Sequence, residues 1–267
     1  MALPRWVKVV LYISRVREVW TAAGLTTSWF RMTLAYLSIW PLQYPWELVT
    51  RRGQVIRLEN FHDLVTAWVV FCRGEYRVPR DAGTIVDLGA NFGAFTLLAA
   101  GKAGSSKIVS VEPFPRMFDR LEEHVGRNGL KGRVECMKIA VGRVSGERFM
   151  PLEGCPDQSR SLLPENSPEG NAVAVKTLSF EDLMREVFSR LQADRVDLLK
   201  IDIEGAEHEW VPVLKPGALA RIRAIQLEYH PNGSKQVLFD AFQKEGFYCV
   251  KDWSVASDFG VAHFIKG

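Results

Sequence analysis

From about residue 84 onward, short apolar runs alternate with stretches of helical periodicity, and this alternation confines the chain to a mostly parallel sheet covered by helices on both faces. The strand candidates are residues 84–88, 107–112, 133–139, 196–203, 222–229, 246–251 and 260–266, with helices at about 92–102, 115–128, 179–190, 206–214 and 234–244. Five strand-then-helix repeats are thus followed by two closing strands. One segment interrupts the pattern. Residues 145–177 hold two short β-like runs, 147–152 and 171–177, around a stretch rich in Pro, Ser and acidic residues. That stretch reads either as a solvated excursion or as a loop facing substrate.

The 267 residues are 47% hydrophobic and 24% charged, enough for a substantial core and unlike a disordered or fibrous chain. Positive charge gathers at the front, where residues 1–57 carry eight Lys/Arg against two Asp/Glu. Residues 6–20 place Trp6, Val9, Val10, Ile13, Val16 and Trp20 on one helical face, and a second helical stretch, about 28–40, is stopped by Pro41 and Pro45. Two readings of this front stand side by side: a helical cap, or an interfacial segment whose Trp, Arg and Lys suit a membrane headgroup boundary. The longest apolar run, Met32 to Leu42, is far short of the roughly 20 residues that cross a bilayer. Cys72, Cys136, Cys155 and Cys249 form no C-x-x-C pair, so no zinc site or disulfide framework is indicated. With no secretory signal evident, a cytoplasmic location is expected.

The first strand candidate runs into "IVDLGANFGAF", residues 85–95. A strand ending in glycine and entering a helix offers free backbone N–H groups to an anionic ligand. A dinucleotide fingerprint needs G-x-G-x-x-G, whereas here Gly89 and Gly93 are separated by three residues and Asn91 stands where the second Gly belongs. Asp87, just before the turn, would repel a pyrophosphate and suit an amine. S-Adenosylmethionine combines an ammonium, a carboxylate, a sulfonium and a ribose, and so matches this mixture. Glu112, 19 residues after Gly93 in "SVEPFP", can accept both ribose hydroxyls, and Ala140 after the third strand can flank an adenine. These residues favour S-adenosylmethionine over NAD.

The fourth strand ends in "LLKIDIEGAEHEW". A buried parallel strand reads as a continuous apolar run, so Lys200 and Asp202 are out of pattern and are expected to pair or to face a cleft. Methyl transfer to an alcohol needs the acceptor aligned and its proton removed. Asp202, Glu204 and His208, with Glu228 and His230 from "LEYH" at the fifth strand's end, are the candidates; Glu207 and Glu209 read as solvated helix positions. The same carboxylates could take a hard cation, but no metal ligands are assigned, and H-E-x-x-H is absent. The Asn-Pro-Pro-aromatic motif expected of base-methylating enzymes is replaced by Asp202-Ile203-Glu204-Gly205, so no nucleic-acid partner is expected.

Taken in order, "VDLGANFGAFT", "VSVEPFP", "LLKIDIEGAE" and "IQLEYH" resemble the FkbM-type S-adenosylmethionine-dependent methyltransferases, and the likeness extends upstream through "HDLVTAWVVFCRGEY" to about residue 57. The resemblance implies an α/β class I methyltransferase fold: a doubly wound, Rossmann-like seven-stranded sheet, its last strand antiparallel, in residues 57–267, behind an N-terminal helical extension in 1–56. It implies O-methylation of a hydroxyl on a sugar, glycolipid or other natural-product scaffold. Asp87, Gly89, Asn91, Gly93 and Glu112 become cofactor-site residues, and Asp202 and Glu204 lie at the reaction cleft. Two other classes compete: a non-catalytic adenosyl-binding or membrane-surface scaffold, suggested by the basic, Trp-rich front, and an NAD-dependent oxidoreductase, disfavoured by the glycine spacing.

Overall fold

The computed structural model describes residues 16–152, 162–163 and 171–267. The front ten residues of the expected amphipathic helix, 6–15, and most of the 153–170 excursion lie outside them. The backbone divides into two compact units, the first ending at Arg77 and the second running from Val78 to Gly267. The boundary expected at residue 56/57 falls inside the first unit.

That first unit is not wholly helical, as its sequence suggested. Helices α1 (Val16–Leu25) and α2 (Trp29–Tyr36) are followed by an antiparallel hairpin, β1 (Trp46–Val49) and β2 (Val55–Leu58), and by α3 (Phe61–Trp68), which runs on as a π-helical turn to Arg73. The reason is visible in the alternation of β1 and β2: Leu48, Ile56 and Leu58 turn inward and are fully buried, while Glu47 faces out. Trp68 ties the unit together. Its ring stacks on Tyr36 at 4.4 Å, and its indole N–H donates to Glu18 Oε2 at 2.6 Å. Trp20, Phe30 and Trp40 remain exposed. No helix among the described residues is long and apolar enough to cross a membrane.

The second unit contains the expected alternation. In chain order it comprises β3 (Thr84–Leu88), α4 (Ala94–Lys102), β4 (Lys107–Val111), α5 (Pro115–Arg127), β5 (Val134–Met137), β6 (Ala140–Gly142), β7 (Gly146–Pro151), β8 (Ala172–Ser179), α6 (Phe180–Leu191), β9 (Leu198–Ile201), α7 (Glu207–Trp210), β10 (Ala224–Tyr229), α8 (Lys235–Lys244), β11 (Phe247–Ala256) and β12 (Phe259–Lys266). Seven strands make one sheet in the order β11-β12-β10-β9-β3-β4-β5. β3, β4, β5, β9 and β10 are parallel, and β12 inserts antiparallel between β10 and β11. This is the class I methyltransferase topology, with the closing strand reversed as expected.

The order reverses at β3. The chain steps outward through β4 and β5, then returns to lay β9 on the other side of β3 and continues to β10. Ligands of doubly wound sheets bind beyond the carboxyl ends of the strands at such a switch point. Helix α4 follows the turn with seven of its residues buried, so its register against the sheet is set by packing all round.

The interrupting segment forms a small sheet of its own, in the order β6-β8-β7. β7 and β8 pair as an antiparallel hairpin from Gly146↔Thr177 to Pro151↔Ala172, and β6 adds to β8 in parallel. Ala140, expected beside an adenine, is buried in β6 opposite Thr177. A separate strand was not legible there because Ile139, Ala140 and Val141 read on directly from the strand candidate before them.

Candidate active site

The turn after β3 is held from three sides. Gly89 and Ala90 donate their N–H groups to the Val111 carbonyl of β4, at 3.0 Å each. Gly89 has φ +74°, and a Cβ on it would lie 1.7 Å from the Asp202 carbonyl oxygen at the end of β9. Only glycine fits this approach. Gly93, at φ +95°, caps α4 and sits against Leu121, and Asn91 takes the left-handed conformation with its Oδ1 accepting from Phe92 N–H. The spacing that departs from the dinucleotide pattern is therefore a compact turn in which Asn91 supplies its own internal bond.

Glu112 stands just past β4. Its Oε2 accepts the Asn91 N–H at 2.8 Å and its Oε1 the Phe114 N–H at 2.9 Å. A carboxylate oxygen has two acceptor directions, so each retains capacity for a ribose hydroxyl. Burial pushes this carboxyl up to about 7, against the two N–H bonds that favour its ionised form. Above that pH it is an acceptor only; below it, one oxygen carries a proton. Affinity for S-adenosylhomocysteine is expected to fall about five- to ten-fold from pH 8 to pH 6, as a group near pH 7 takes up its proton. Calorimetry on the wild type and on Glu112→Gln checks this, since the glutamine should flatten the pH dependence.

Asp87 differs from expectation. It is fully buried, and its carboxylate faces the protein's own amine: Lys200 Nζ lies 3.1 Å from Oδ1, while Thr96 Oγ1 donates to Oδ2 at 2.8 Å. Asp87 thus anchors the turn from beneath. Lys200, out of pattern in the sequence, is buried and reaches Asp202 Oδ2 at 3.2 Å and the Gly89 carbonyl at 2.7 Å as well. Burial alone would lower its pKa; the charges of Asp202 and Asp87 outweigh that and raise it.

The expected cleft residues gather beyond β9 and β10. Glu204, at φ +54°, and Gly205, at φ +99°, turn the chain sharply, and the Glu204 carboxylate comes 3.4 Å from His230 Nε2. Asp202 Oδ1 lies 4.0 Å from the same nitrogen. Burial, then the Asp202 charge, lifts Glu204 to about 8. For His230 burial acts downward, but bonding to Glu207 and the surrounding carboxylates lift it to about 9. His208 departs from the expectation of a catalytic role, because its Nε2 donates to the His230 carbonyl at 2.8 Å and its ring packs on Gly233.

Glu207 is the residue that sequence reading misplaced. It is fully buried; Oε2 accepts the Gly205 N–H at 2.9 Å, and Oε1 accepts both the His230 N–H at 3.0 Å and His230 Nδ1 at 2.9 Å. α7 is a single turn after a left-handed bend, so its first residue faces the sheet. Glu209 does lie at the surface and pairs with Arg148 at 3.1 Å.

The residues present fit the adenosyl cofactor on the β3–β4 side: an acceptor carboxylate at Glu112, a glycine turn pressed against β9, and a helix N-terminus. The chain is similar to several other proteins. A synthetase from Pseudomonas aeruginosa, AmbE, is 28% identical over 215 residues, which span 67% of this chain and 10% of that protein. Methyltransferase sdnD from Sordaria araneosa is 28% identical over 197 residues, 63% of this chain and 74% of sdnD. Among solved structures, an FkbM methyltransferase from Methylobacillus flagellatus is 11% identical with a TM-score of 0.46, over 96% of this chain and 60% of that one. The Methyltransferase FkbM domain model matches residues 87–247, from the buried Asp87 through the ends of β9 and β10. With that match over more than half its length, the chain belongs to the FkbM methyltransferase family, whose cofactor is S-adenosylmethionine.

Proposed function

We propose that this chain transfers a methyl group to a hydroxyl of a sugar, glycolipid or natural-product acceptor, with Glu204 taking the proton. The observation that supports this most is the meeting of Asp202, Glu204, Glu228 and His230 at the carboxyl ends of β9 and β10, one strand from the cofactor turn. S-Adenosylmethionine, when bound, supplies a methyl carbon activated by a positively charged sulfur. What remains for the protein is alignment and proton removal. The acceptor oxygen forms the new O–C bond as the C–S bond breaks, and the hydroxyl proton passes to a carboxylate within hydrogen-bond reach. Glu204 suits the role because its strained backbone turns a partly exposed carboxylate into the cleft. Glu207 is spent on holding the turn, and Asp202 is engaged by Lys200.

The carboxylate set favours an alcohol over a nucleic-acid base, whose amino group needs an acceptor motif that Asp202-Ile203-Glu204-Gly205 does not provide. Glu204→Gln keeps size and hydrogen bonding while removing the base. Its expected effect is a loss of about 100-fold or more in turnover, the scale of general-base catalysis, with S-adenosylhomocysteine affinity held within a few-fold. Methyl transfer to a panel of glycosides and hydroxylated acceptors, read by mass, provides the assay. Full turnover in the glutamine variant would remove Glu204 from the reaction.

A further inference from the structure

The geometry points to a divalent-cation site formed by Asp202, Glu228 and His230. One ligand atom from each lies within 4.8 Å of the others, at the ends of two neighbouring strands. Three features single this group out from an ordinary acidic cluster.

The first is the histidine. His230 is buried, and its Nδ1 is fixed by Glu207 Oε1 at 2.9 Å, the same oxygen that accepts the residue's own backbone N–H. A buried carboxylate on Nδ1 fixes the ring and presents Nε2 to the cluster, the arrangement that supports histidine ligands in metal sites, and an ion bound there takes the place of the Nε2 proton. Among the described residues Nε2 faces carboxylate oxygens there, Asp202 Oδ1 at 4.0 Å and Glu204 Oε2 at 3.4 Å. The second is the division of labour in Asp202. Its Oδ2 is held by Lys200 at 3.2 Å, so Oδ1 is the oxygen turned toward His230. The third is place. β9 and β10 are in register through Leu199↔Ile225 to Ile201↔Leu227, so the next positions, Asp202 just past β9 and Glu228 near the end of β10, reach the same edge of the sheet, with His230 following.

His230 Nε2 and Asp202 Oδ1 stand 4.0 Å apart, wider than the roughly 3 Å between neighbouring ligands around an ion bound at about 2.0–2.2 Å, so binding draws these side chains inward. Two carboxylates and one imidazole form a mixed oxygen and nitrogen set, which suits Mn²⁺ or a related transition metal better than Mg²⁺ or Ca²⁺. One face of the ion stays open to the cleft. A hydroxyl oxygen bound there is polarised and held in line with the methyl donor, while Glu204 remains to take the proton. The inference rests on the hydroxyl-methylating reading for its purpose, but the site itself is tested without any acceptor.

The experiment is Mn²⁺ titration of the chelator-treated full chain, followed by calorimetry and by loss of the free-ion electron paramagnetic resonance signal. One ion per chain is expected, bound at least ten-fold more weakly by Glu228→Gln and by His230→Asn, with Glu204→Gln changed less than three-fold. Because His230→Asn disturbs a buried contact, Glu228→Gln, at a half-buried position, carries the test, with its melting temperature as the check on folding. Absence of Mn²⁺ binding to the wild type at millimolar concentration overturns the site, as does binding that Glu228→Gln leaves unchanged. Binding as expected with no methyl transfer to any hydroxylated acceptor would uphold the site and remove the proposed acceptor class.

Discussion

Gly89→Ala is expected to lower the melting temperature by about 10 °C and to abolish measurable S-adenosylhomocysteine binding. Two costs combine. The residue sits at φ +74°, which charges an alanine about 1–2 kcal/mol. Its Cβ would also stand 1.7 Å from the Asp202 carbonyl oxygen, a backbone atom that cannot rotate away, so β3 and β9 must separate at their carboxyl ends. Together these place the substitution among the exceptional cases of about 4 kcal/mol or more, and in a domain of this size each kcal/mol is worth about 2–4 °C. Gly246 provides the control: it has φ +84° and open space around its missing Cβ, so Gly246→Ala carries the conformational cost alone. Thermal unfolding of the two variants side by side measures the difference. Equal losses would mean that the close approach of the turn to β9 contributes nothing.

Lys200→Met is expected to cost about 3–5 kcal/mol, because it leaves Asp87 charged, fully buried and without its cationic partner. Removing both partners is a different matter. Asp87→Asn with Lys200→Met keeps an acceptor for Thr96 and puts no lone charge in the core, and replacing a whole buried pair is often close to neutral. The double variant is therefore expected to regain about 2 kcal/mol relative to the sum of the single ones, within the range of directly contacting pairs. Denaturant unfolding of all four proteins closes the cycle. Additive losses would show that Lys200 acts through Asp202 or the Gly89 carbonyl, and not through Asp87.

The extent to which the sequence foretold these arrangements follows the range of the interactions concerned. β3 is read correctly at both ends because Thr84–Leu88 is a short β-like run, apolar but for Thr84 and Asp87, that ends at the Gly89 turn. The places of Gly89 and Glu112, just past the ends of β3 and β4, are legible because local spacing after a strand dictates them. Lys200 could be identified as misplaced in a buried strand, and the structure supplies the reason in its two carboxylate partners. Glu207 was unreadable as a buried anchor, since "EHEW" resembles any solvated helical turn until the left-handed bend at Glu204 and Gly205 rotates it inward. Asp87 suffered the reverse error: a carboxylate before a cofactor turn invites a ligand, yet its partner lies 113 residues away on β9. The hairpin β1–β2 was obscured for a simpler reason. Its strands are four residues each, too short to outweigh the helical run before them.

The ammonium of Lys200 also constrains how this fold diversifies. It touches the Gly89 carbonyl of the turn after β3 and the Asp202 carboxylate at the end of β9 at once. A substitution at Asp202 therefore also changes the balance of charge around the group that steadies the Gly89 turn. Through this one side chain β9 ties the glycine turn after β3 to the carboxylate at its own end, so neither can change its charge without the other feeling it.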